Sequence, residues 1–256
     1  MSANSGGVRF VCKRPVKDPA LRLFCFPYAG GGVVAFRQWP DRLPPRVEMH
    51  VLEMPGREMR LHEPGFIHVD PLVRAIDASI KPYLHEPFAF FGHSMGALVS
   101  FELARFLRRE HSVEPAGLFP SGRPAPQLPI DLITYNLPEK EFIEDIRRRG
   151  GTPDEVLDHP ELLQLVLPTL RADFQLCQTY EYKHEPPFKS AVTVYGGLND
   201  QFGDRRELDL WSEQTTGPFE VRMFPGDHFF LHSSDRLLLQ TLSKDLLTLI
   251  AHISKP

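Results

Sequence analysis

The sequence has little of several features that would assign it to a specialised class of protein. Its 256 residues include only three cysteines, Cys12, Cys25 and Cys177, which are too widely spaced for a disulfide framework or a C-x-x-C zinc site. No apolar run approaches the roughly 18 residues of a membrane span, and the N-terminus lacks the apolar core of a signal peptide. We therefore expect a cytoplasmic protein that does not enter a membrane.

A strong imbalance of charge is also missing. The 29 Lys and Arg residues stand against 33 Asp and Glu residues, giving a formal net charge of -4. This balance gives no support for general binding to nucleic acid or to an anionic membrane surface. The content of 42% hydrophobic and 24% charged residues is typical of globular proteins, and no internal repeat or low-complexity tract is visible. The composition favours one globular domain.

The most informative stretch is FAFFGHSMGALVSFE, residues 88–102. Its first four residues predict a strand buried on both faces of a sheet, and the apolar spacing after Met95 predicts a helix. Between strand and helix, GHSMG at 92–96 fits the G-x-S-x-G pattern of a nucleophile elbow, in which Ser94 would stand exposed on a strained turn. A serine that only caps the helix fits the same residues, so the motif alone leaves the catalytic role open.

Strand-like and helix-like segments alternate along most of the chain, which predicts a mostly parallel sheet with helices on both faces. Helices are expected over residues 34–43 and 204–213, and an amphipathic helix over about residues 235–253 is expected to close the chain. The alternation stops at about residues 127–186, which we expect to be helical throughout. A helical insertion between two strands is typical of a lid over an active site, although its apolar face could equally pack on the body of the domain.

Acyl transfer by a serine needs a base and an acid, and in α/β hydrolases they follow the serine in the order Asp or Glu, then His. His228 directly follows the last predicted strand and is the expected base, with His232 as the second choice. Asp200 follows the preceding strand and is expected to orient that base. Asp204 and Asp227 compete for the same role, but neither lies at a strand exit.

The glycine-rich segment YAGGG at 28–32 follows another strand and can direct backbone N–H groups into one space. We expect the amides of Ala29 and Met95 to form an oxyanion hole. His93 comes too early in the chain to be the base and is interpreted as a structural residue or a pocket wall. The remaining candidates for the substrate pocket are Tyr28, Phe174 and Phe229.

Six segments together resemble the type II thioesterases that accompany modular polyketide and nonribosomal peptide synthases: FCFPYAGGG (24–32), MPGRE (54–58), FGHSMGALVSFELA (91–104), RGGTP (149–153), LRADF (170–174) and FPGDHFFL (224–231). The resemblance covers nearly the whole chain. It implies hydrolysis of acyl groups from the phosphopantetheine thiol of acyl or peptidyl carrier proteins. It also implies that Ser94, Asp200 and His228 form the family triad, with Ala29 and Met95 as the oxyanion donors.

The resulting hypothesis is a single α/β-hydrolase domain over residues 1–256, with a helical lid at 127–186. No metal or cofactor is expected, because the pantetheine arm belongs to the partner protein. The phosphate of that arm would favour a basic residue at the pocket mouth, and Arg57 is the candidate. We expect a monomer. Two alternatives stay open: a general carboxylesterase or small-peptide hydrolase on the same fold, and a non-catalytic module that binds carrier proteins.

Overall fold

Seven strands form one mixed sheet in the computed structural model, which describes residues 7–130 and 132–254. The strand order is β1-β3-β2-β4-β5-β6-β7, with β1 antiparallel to its neighbour and all other pairs parallel. The two edges are β1, whose register shifts between Cys12 and Arg14, and β7. The mostly parallel sheet predicted from the sequence is confirmed. The strands are β1 (Arg9–Arg14), β2 (Leu21–Phe26), β3 (Val47–Glu53), β4 (Phe88–His93), β5 (Gly117–Ser121), β6 (Ala191–Gly197) and β7 (Phe219–Phe224).

Helices cover both faces of this sheet. The α-helices are α1 (Val69–Ile80), α2 (Met95–His111), α3 (Glu139–Arg149), α4 (Asp154–Leu157), α5 (Pro160–Gln178), α6 (Arg205–Asp209), α7 (Phe230–Ser233) and α8 (Asp235–Ile253). Short 3-10 helices lie at Val33–Phe36, Pro40–Arg42, Glu58–Arg60, Lys81–Tyr83 and Leu210–Gln214. Within the two described ranges, no helix is both long and apolar enough to cross a membrane.

Strand β4 lies in the middle of the sheet and is buried along its whole length. Successive side chains of a strand point to opposite faces, so Phe88 and Phe90 belong to the apolar cluster that includes α1 and α2, whereas Ala89 and Phe91 belong to the cluster that includes α8. Burying each phenylalanine side chain stabilises the fold by roughly 1.5–3 kcal/mol. The carboxyl end of β4 is thereby fixed at the centre of the sheet edge where ligands bind in parallel α/β folds.

Two predicted helices are shorter or of a different type in the structure. Residues 34–43 form two 3-10 turns, because Pro40 has no N–H group to continue an α-helix and instead begins the second turn. Residues 204–213 form α6 followed by a 3-10 turn, with Asp204 capping the N-terminus of α6 through a capping box.

The insertion between β5 and β6 is only partly helical, so the expectation of helix throughout 127–186 is wrong. Helices α3, α4 and α5 occupy its middle, whereas residues 127–130, 132–138 and 179–186 form no helix or strand. Prolines at 129, 138 and 186 interrupt hydrogen bonding in those flanking segments. The three helices bury an apolar cluster of their own, and α5 also contributes Leu176 to the main core.

Candidate active site

The turn between β4 and α2 holds Ser94 in a conformation that L-residues rarely adopt, with φ at 53° and ψ at -110°. Its backbone N–H donates to the carbonyl of Ser121 at 2.7 Å, which ties the turn to the end of β5. Glycine is required on both sides. A Cβ atom would lie 2.0 Å from the Phe26 carbonyl oxygen at Gly96, and 2.1 Å from the Gly96 carbonyl oxygen at Gly92. The sequence therefore brings α2 close enough to β2 and β4 to form a tight elbow.

Ser94, His228 and Asp200 form a continuous chain of hydrogen bonds. The Ser94 Oγ atom lies 3.0 Å from Nε2 of His228, and Nδ1 of His228 lies 2.9 Å from Oδ2 of Asp200. The other carboxylate oxygen of Asp200 accepts the backbone N–H of Phe202 at 2.9 Å. The side chain of Asp200 is 1% exposed, so water has little access to this end of the chain. This arrangement can move a proton from the serine to the imidazole.

The loops that carry Asp200 and His228 are joined by backbone hydrogen bonds. The N–H of Leu198 donates to the carbonyl of Phe224 at 2.8 Å, and that of Asn199 donates to Gly226 at 2.9 Å. Strands β6 and β7 pair in parallel just before these loops. Neighbouring strand exits therefore place an acid and a base that lie 28 residues apart in the chain.

The residues that competed for the acid and base roles have other partners. Nε2 of His232 lies 2.9 Å from the hydroxyl of Tyr28. Asp204 caps α6, and Asp227 accepts the backbone N–H of Phe229 at 2.8 Å. Among the hydrogen bonds of the described residues, none joins these three side chains to the serine or to the base.

The two backbone amides predicted to form the oxyanion hole lack a protein acceptor. In the part of the chain that the structure describes, the N–H groups of Ala29 and Met95 donate to no protein acceptor. Met95 is the first residue of α2, where helical N–H groups lack intrahelical partners and the helix dipole is positive. The next amide after Ala29, that of Gly30, is already bound to Asp173 at 2.7 Å. Of these two neighbouring amides in the glycine-rich loop, that of Gly30 is therefore occupied and that of Ala29 is not.

Ser94 and His228 open into a cavity of about 410 Å³, a volume suited to a small ligand. The insertion supplies much of its wall. Apolar lining residues include Leu128, Ile130, Leu132, Ile146 and Phe174, together with Tyr28 and Phe229. A second cavity of about 660 Å³ lies on the other side of the glycine-rich loop and contacts neither Ser94 nor His228.

Two predicted pocket residues lie outside this cavity. His93 is fully buried beneath the site, with Nδ1 2.9 Å from Oγ of Ser121, and burial holds its pKa well below the usual value. Arg57 is only 4% exposed and is bound to Asp173, and it lines the second cavity rather than the one at Ser94. Its partner lies 116 residues further along the chain, where sequence reasoning assigned no role. Asp173 lies within the LRADF segment at 170–174, and the family resemblance of that segment is the signal in the sequence that could have drawn attention to it.

One group of possible metal ligands occurs within the described residues, and it lies at the start of β3, away from Ser94. Cys12, Glu48 and His50 approach one another there. The Glu48 carboxylate already accepts from Nε of Arg22 at 3.0 Å and from the N–H of Val16 at 2.9 Å. The group is therefore accounted for as part of an ion-paired cluster at the side of the sheet.

A family model and several known proteins match most of this chain. The model of the thioesterase domain family matches residues 21–246. The gramicidin S biosynthesis protein GrsT of Aneurinibacillus migulanus is 44% identical over 232 residues, covering 90% of this chain and 91% of that protein. Thioesterase PikA5 of Streptomyces venezuelae is 38% identical, with 91% and 83% covered. The structure of RedJ, a thioesterase from the prodiginine biosynthetic pathway in Streptomyces coelicolor, has a TM-score of 0.81 at 37% identity, with 90% and 89% covered.

Proposed function

This chain belongs to the thioesterase family and has the α/β-hydrolase fold, and we propose that it removes acyl groups from the phosphopantetheine arm of carrier proteins. The observation that carries the proposal is the hydrogen-bonded chain of Ser94, His228 and Asp200, in which Ser94 and His228 line a cavity with both apolar and polar walls. Relatives named for gramicidin S and prodiginine biosynthesis support a role in maintaining polyketide or nonribosomal peptide assembly lines.

The first half of the proposed reaction transfers the acyl group to the enzyme. Oγ of Ser94 attacks the thioester carbonyl carbon while Nε2 of His228 takes the hydroxyl proton. Negative charge develops on the carbonyl oxygen, and the amides of Ala29 and Met95 stabilise it. Each such donor is worth roughly 10² to 10³ in kcat. The carbon–sulfur bond then breaks, and the proton held by His228 passes to the leaving pantetheine thiol.

The second half releases the acid. Nε2 of His228 takes a proton from water, and the hydroxide attacks the acyl-serine carbonyl through a second anionic intermediate held by the same amides. The carbon–oxygen bond to Ser94 breaks and the serine regains its proton. Asp200 accepts the Nδ1 hydrogen of His228 throughout, which fixes the tautomer that can receive a proton at Nε2. These side chains supply every proton transfer, so we propose that the enzyme needs no cofactor of its own.

The apolar walls of the cavity at Ser94 form the proposed binding site for the acyl chain. Phe174 from α5 and Phe229 beside the base line it, together with Tyr28, which agrees with their assignment as substrate contacts. An acyl chain would bury its apolar surface there, at roughly 0.8 kcal/mol for each CH₂ group. We further propose that the protein works as a monomer and that it is located in the cytoplasm. Its three free cysteines suit a reducing compartment of that kind.

Carrier proteins loaded with a panel of acyl groups provide the direct test, with intact mass as the measurement. We expect the unsubstituted protein to remove the acyl mass and Ser94→Ala to leave it in place. Ser100→Ala is the matched control, because Ser100 lies on the same helix and its hydroxyl donates only to the carbonyl of Ala97. Acyl loss that persists in Ser94→Ala would refute the mechanism. A strong preference for a matched oxyester would favour a general carboxylesterase instead.

A further inference from the structure

A buried ion pair joins the insertion to the body of the domain next to the glycine-rich loop. Arg57 lies in the segment that follows β3, and Asp173 lies on α5. The guanidinium binds the carboxylate at two points, with Nη2 2.9 Å from Oδ1 and Nη1 3.1 Å from Oδ2. Their side chains are 5% and 2% exposed. The pair is therefore almost completely removed from solvent.

Both members of the pair also hold the backbone of the loop. The Gly30 N–H donates to Oδ2 of Asp173 at 2.7 Å, and Nη1 of Arg57 donates to the Gly31 carbonyl at 3.0 Å. Gly30 has a φ of 75°, and a Cβ atom there would lie 2.7 Å from the side chain of Leu170 on α5. The loop is thus pressed against the helix and fixed at two consecutive residues.

We propose that the Arg57–Asp173 pair is a positioning device for the oxyanion hole, acting through the peptide groups that follow Ala29. This inference rests on the proposed acyl hydrolysis at Ser94. Asp173 occupies the Gly30 N–H and leaves the Ala29 N–H free. Because Asp173 holds the Gly30 N–H and Arg57 holds the Gly31 carbonyl, the backbone after Ala29 is fixed, and the direction of the Ala29 N–H is fixed with it. The oxyanion hole is then complete only while α5 is seated on the loop.

Stability alone does not account for the choice of these two residues. Replacing a buried ion pair by apolar side chains of similar volume is often neutral or stabilising, because the cost of removing both charges from water disappears. An apolar pair would fill the space between loop and helix. It could neither accept the Gly30 N–H nor donate to the Gly31 carbonyl. Packing and positioning can therefore be separated by substitution.

The decisive variant is the double substitution Arg57→Met with Asp173→Leu, which removes both charges and retains the volume. We expect it to fold, with kcat reduced by roughly 10²-fold and KM little changed, because one oxyanion donor is misdirected. Asp173→Asn should retain more activity than Asp173→Ala, since its amide oxygen can still accept from Gly30. Arg147→Met is the matched control. Arg147 pairs with Asp158 on the outer side of the insertion and does not contact the loop.

Two inhibitors distinguish a variant whose oxyanion hole is misdirected from one whose acyl-binding cavity is deformed. In an acyl trifluoromethyl ketone, Oγ of Ser94 adds to the carbonyl carbon, His228 takes the proton, and the oxygen becomes an anion in the hole. A thioether analogue, with a methylene in place of the carbonyl, fills the pocket without using the hole. In the double variant, the affinity for the ketone should fall by roughly 10²-fold, whereas the affinity for the thioether should be unchanged.

Unchanged kcat in the double variant, or equal losses for the ketone and the thioether, would overturn the positioning role. Turnover can be measured with a p-nitrophenyl ester as well as with a loaded carrier protein. If the unsubstituted protein forms the ketone adduct but hydrolyses no loaded carrier protein, the proposed function is contradicted. The ketone and the p-nitrophenyl ester would still test the role of the Arg57–Asp173 pair. The two conclusions can therefore fail separately.

Discussion

Replacing Asp200 by asparagine tests the hydrogen-bonded chain at its most buried point. The two carboxylate oxygens of Asp200 have different neighbours, since one accepts the Phe202 N–H and the other faces Nδ1 of His228. In Asp200→Asn, only the amide oxygen can accept from Phe202. The amide NH₂ group is then directed at Nδ1, which must become an acceptor. The neutral imidazole consequently carries its proton on Nε2, the nitrogen that faces Ser94.

A base in that tautomer cannot take the serine proton, so the expected effect is large. In serine hydrolases with this triad, the equivalent change lowers kcat by about 10⁴, which corresponds to about 5 kcal/mol of transition-state stabilisation. The Asp200 side chain is 1% exposed, so water has little room to replace the lost acceptor. The substitution is nearly isosteric, and we expect the folded structure to persist.

The assay is release of thiol from an acyl thioester at pH 7, with thermal unfolding as a check that each variant is folded. Asp204→Asn and Asp227→Asn are matched controls, because each makes the same chemical change at an acid with another partner. Both should stay within about twofold of the unsubstituted rate, because the amide oxygen of asparagine can still accept the backbone N–H groups that these two carboxylates bind. An Asp200→Asn variant that retains more than a tenth of kcat would refute the tautomer argument.

Three further substitutions test the packing beneath the site. Gly96→Ala places a Cβ 2.0 Å from the Phe26 carbonyl oxygen and should lower the free energy of unfolding by about 3 kcal/mol in urea titrations; a loss below 1 kcal/mol would contradict this. Tyr195→Phe removes a 2.6 Å hydrogen bond to Asp245 and should cost about 1.5–3 kcal/mol, whereas an unchanged urea midpoint would speak against it. Burial lowers the pKa of His93, so as the pH falls below about 6.5 this imidazole becomes protonated in the unfolded chain but stays neutral in the folded protein. Protonation of His93 therefore favours unfolding at low pH. His93→Gln should therefore lose less stability between pH 7 and 5, by up to about 1.4 kcal/mol per pH unit, and parallel pH profiles would exclude this contribution.

The parts of the site that could be predicted from the sequence have local signals. The elbow is one continuous segment, and its strand and helix have distinct apolar periods. Asp200 and His228 were found because each follows a strand, and parallel strands end at one edge of the sheet. The closing helix α8 was predicted at Asp235–Ile253, the bounds that the structure shows.

Contacts between distant segments had no such signal. The burial of Arg57 depends on Asp173, and neither residue differs in its local sequence from a solvent-exposed charge. The sequence does not decide between the two roles of His93, because its partner, Ser121, comes within reach only when β4 and β5 pair. The helical prediction fails in the segments that flank α3 to α5, because their scattered apolar residues mimic a helical period whereas their prolines prevent continuous helical hydrogen bonding.

The two outer strands of the sheet have a consequence for how separate copies of the chain meet. An edge strand presents unpaired N–H and C=O groups on which a strand from another molecule can add. Strand β1 carries exposed Arg9 and Lys13 and a shifted register at Cys12, and β7 carries Glu220 and Arg222. Extending the sheet across either edge would bring these charges and that irregularity into the new interface. Strand addition between molecules, a common route to aggregation, is therefore disfavoured at both ends of the sheet.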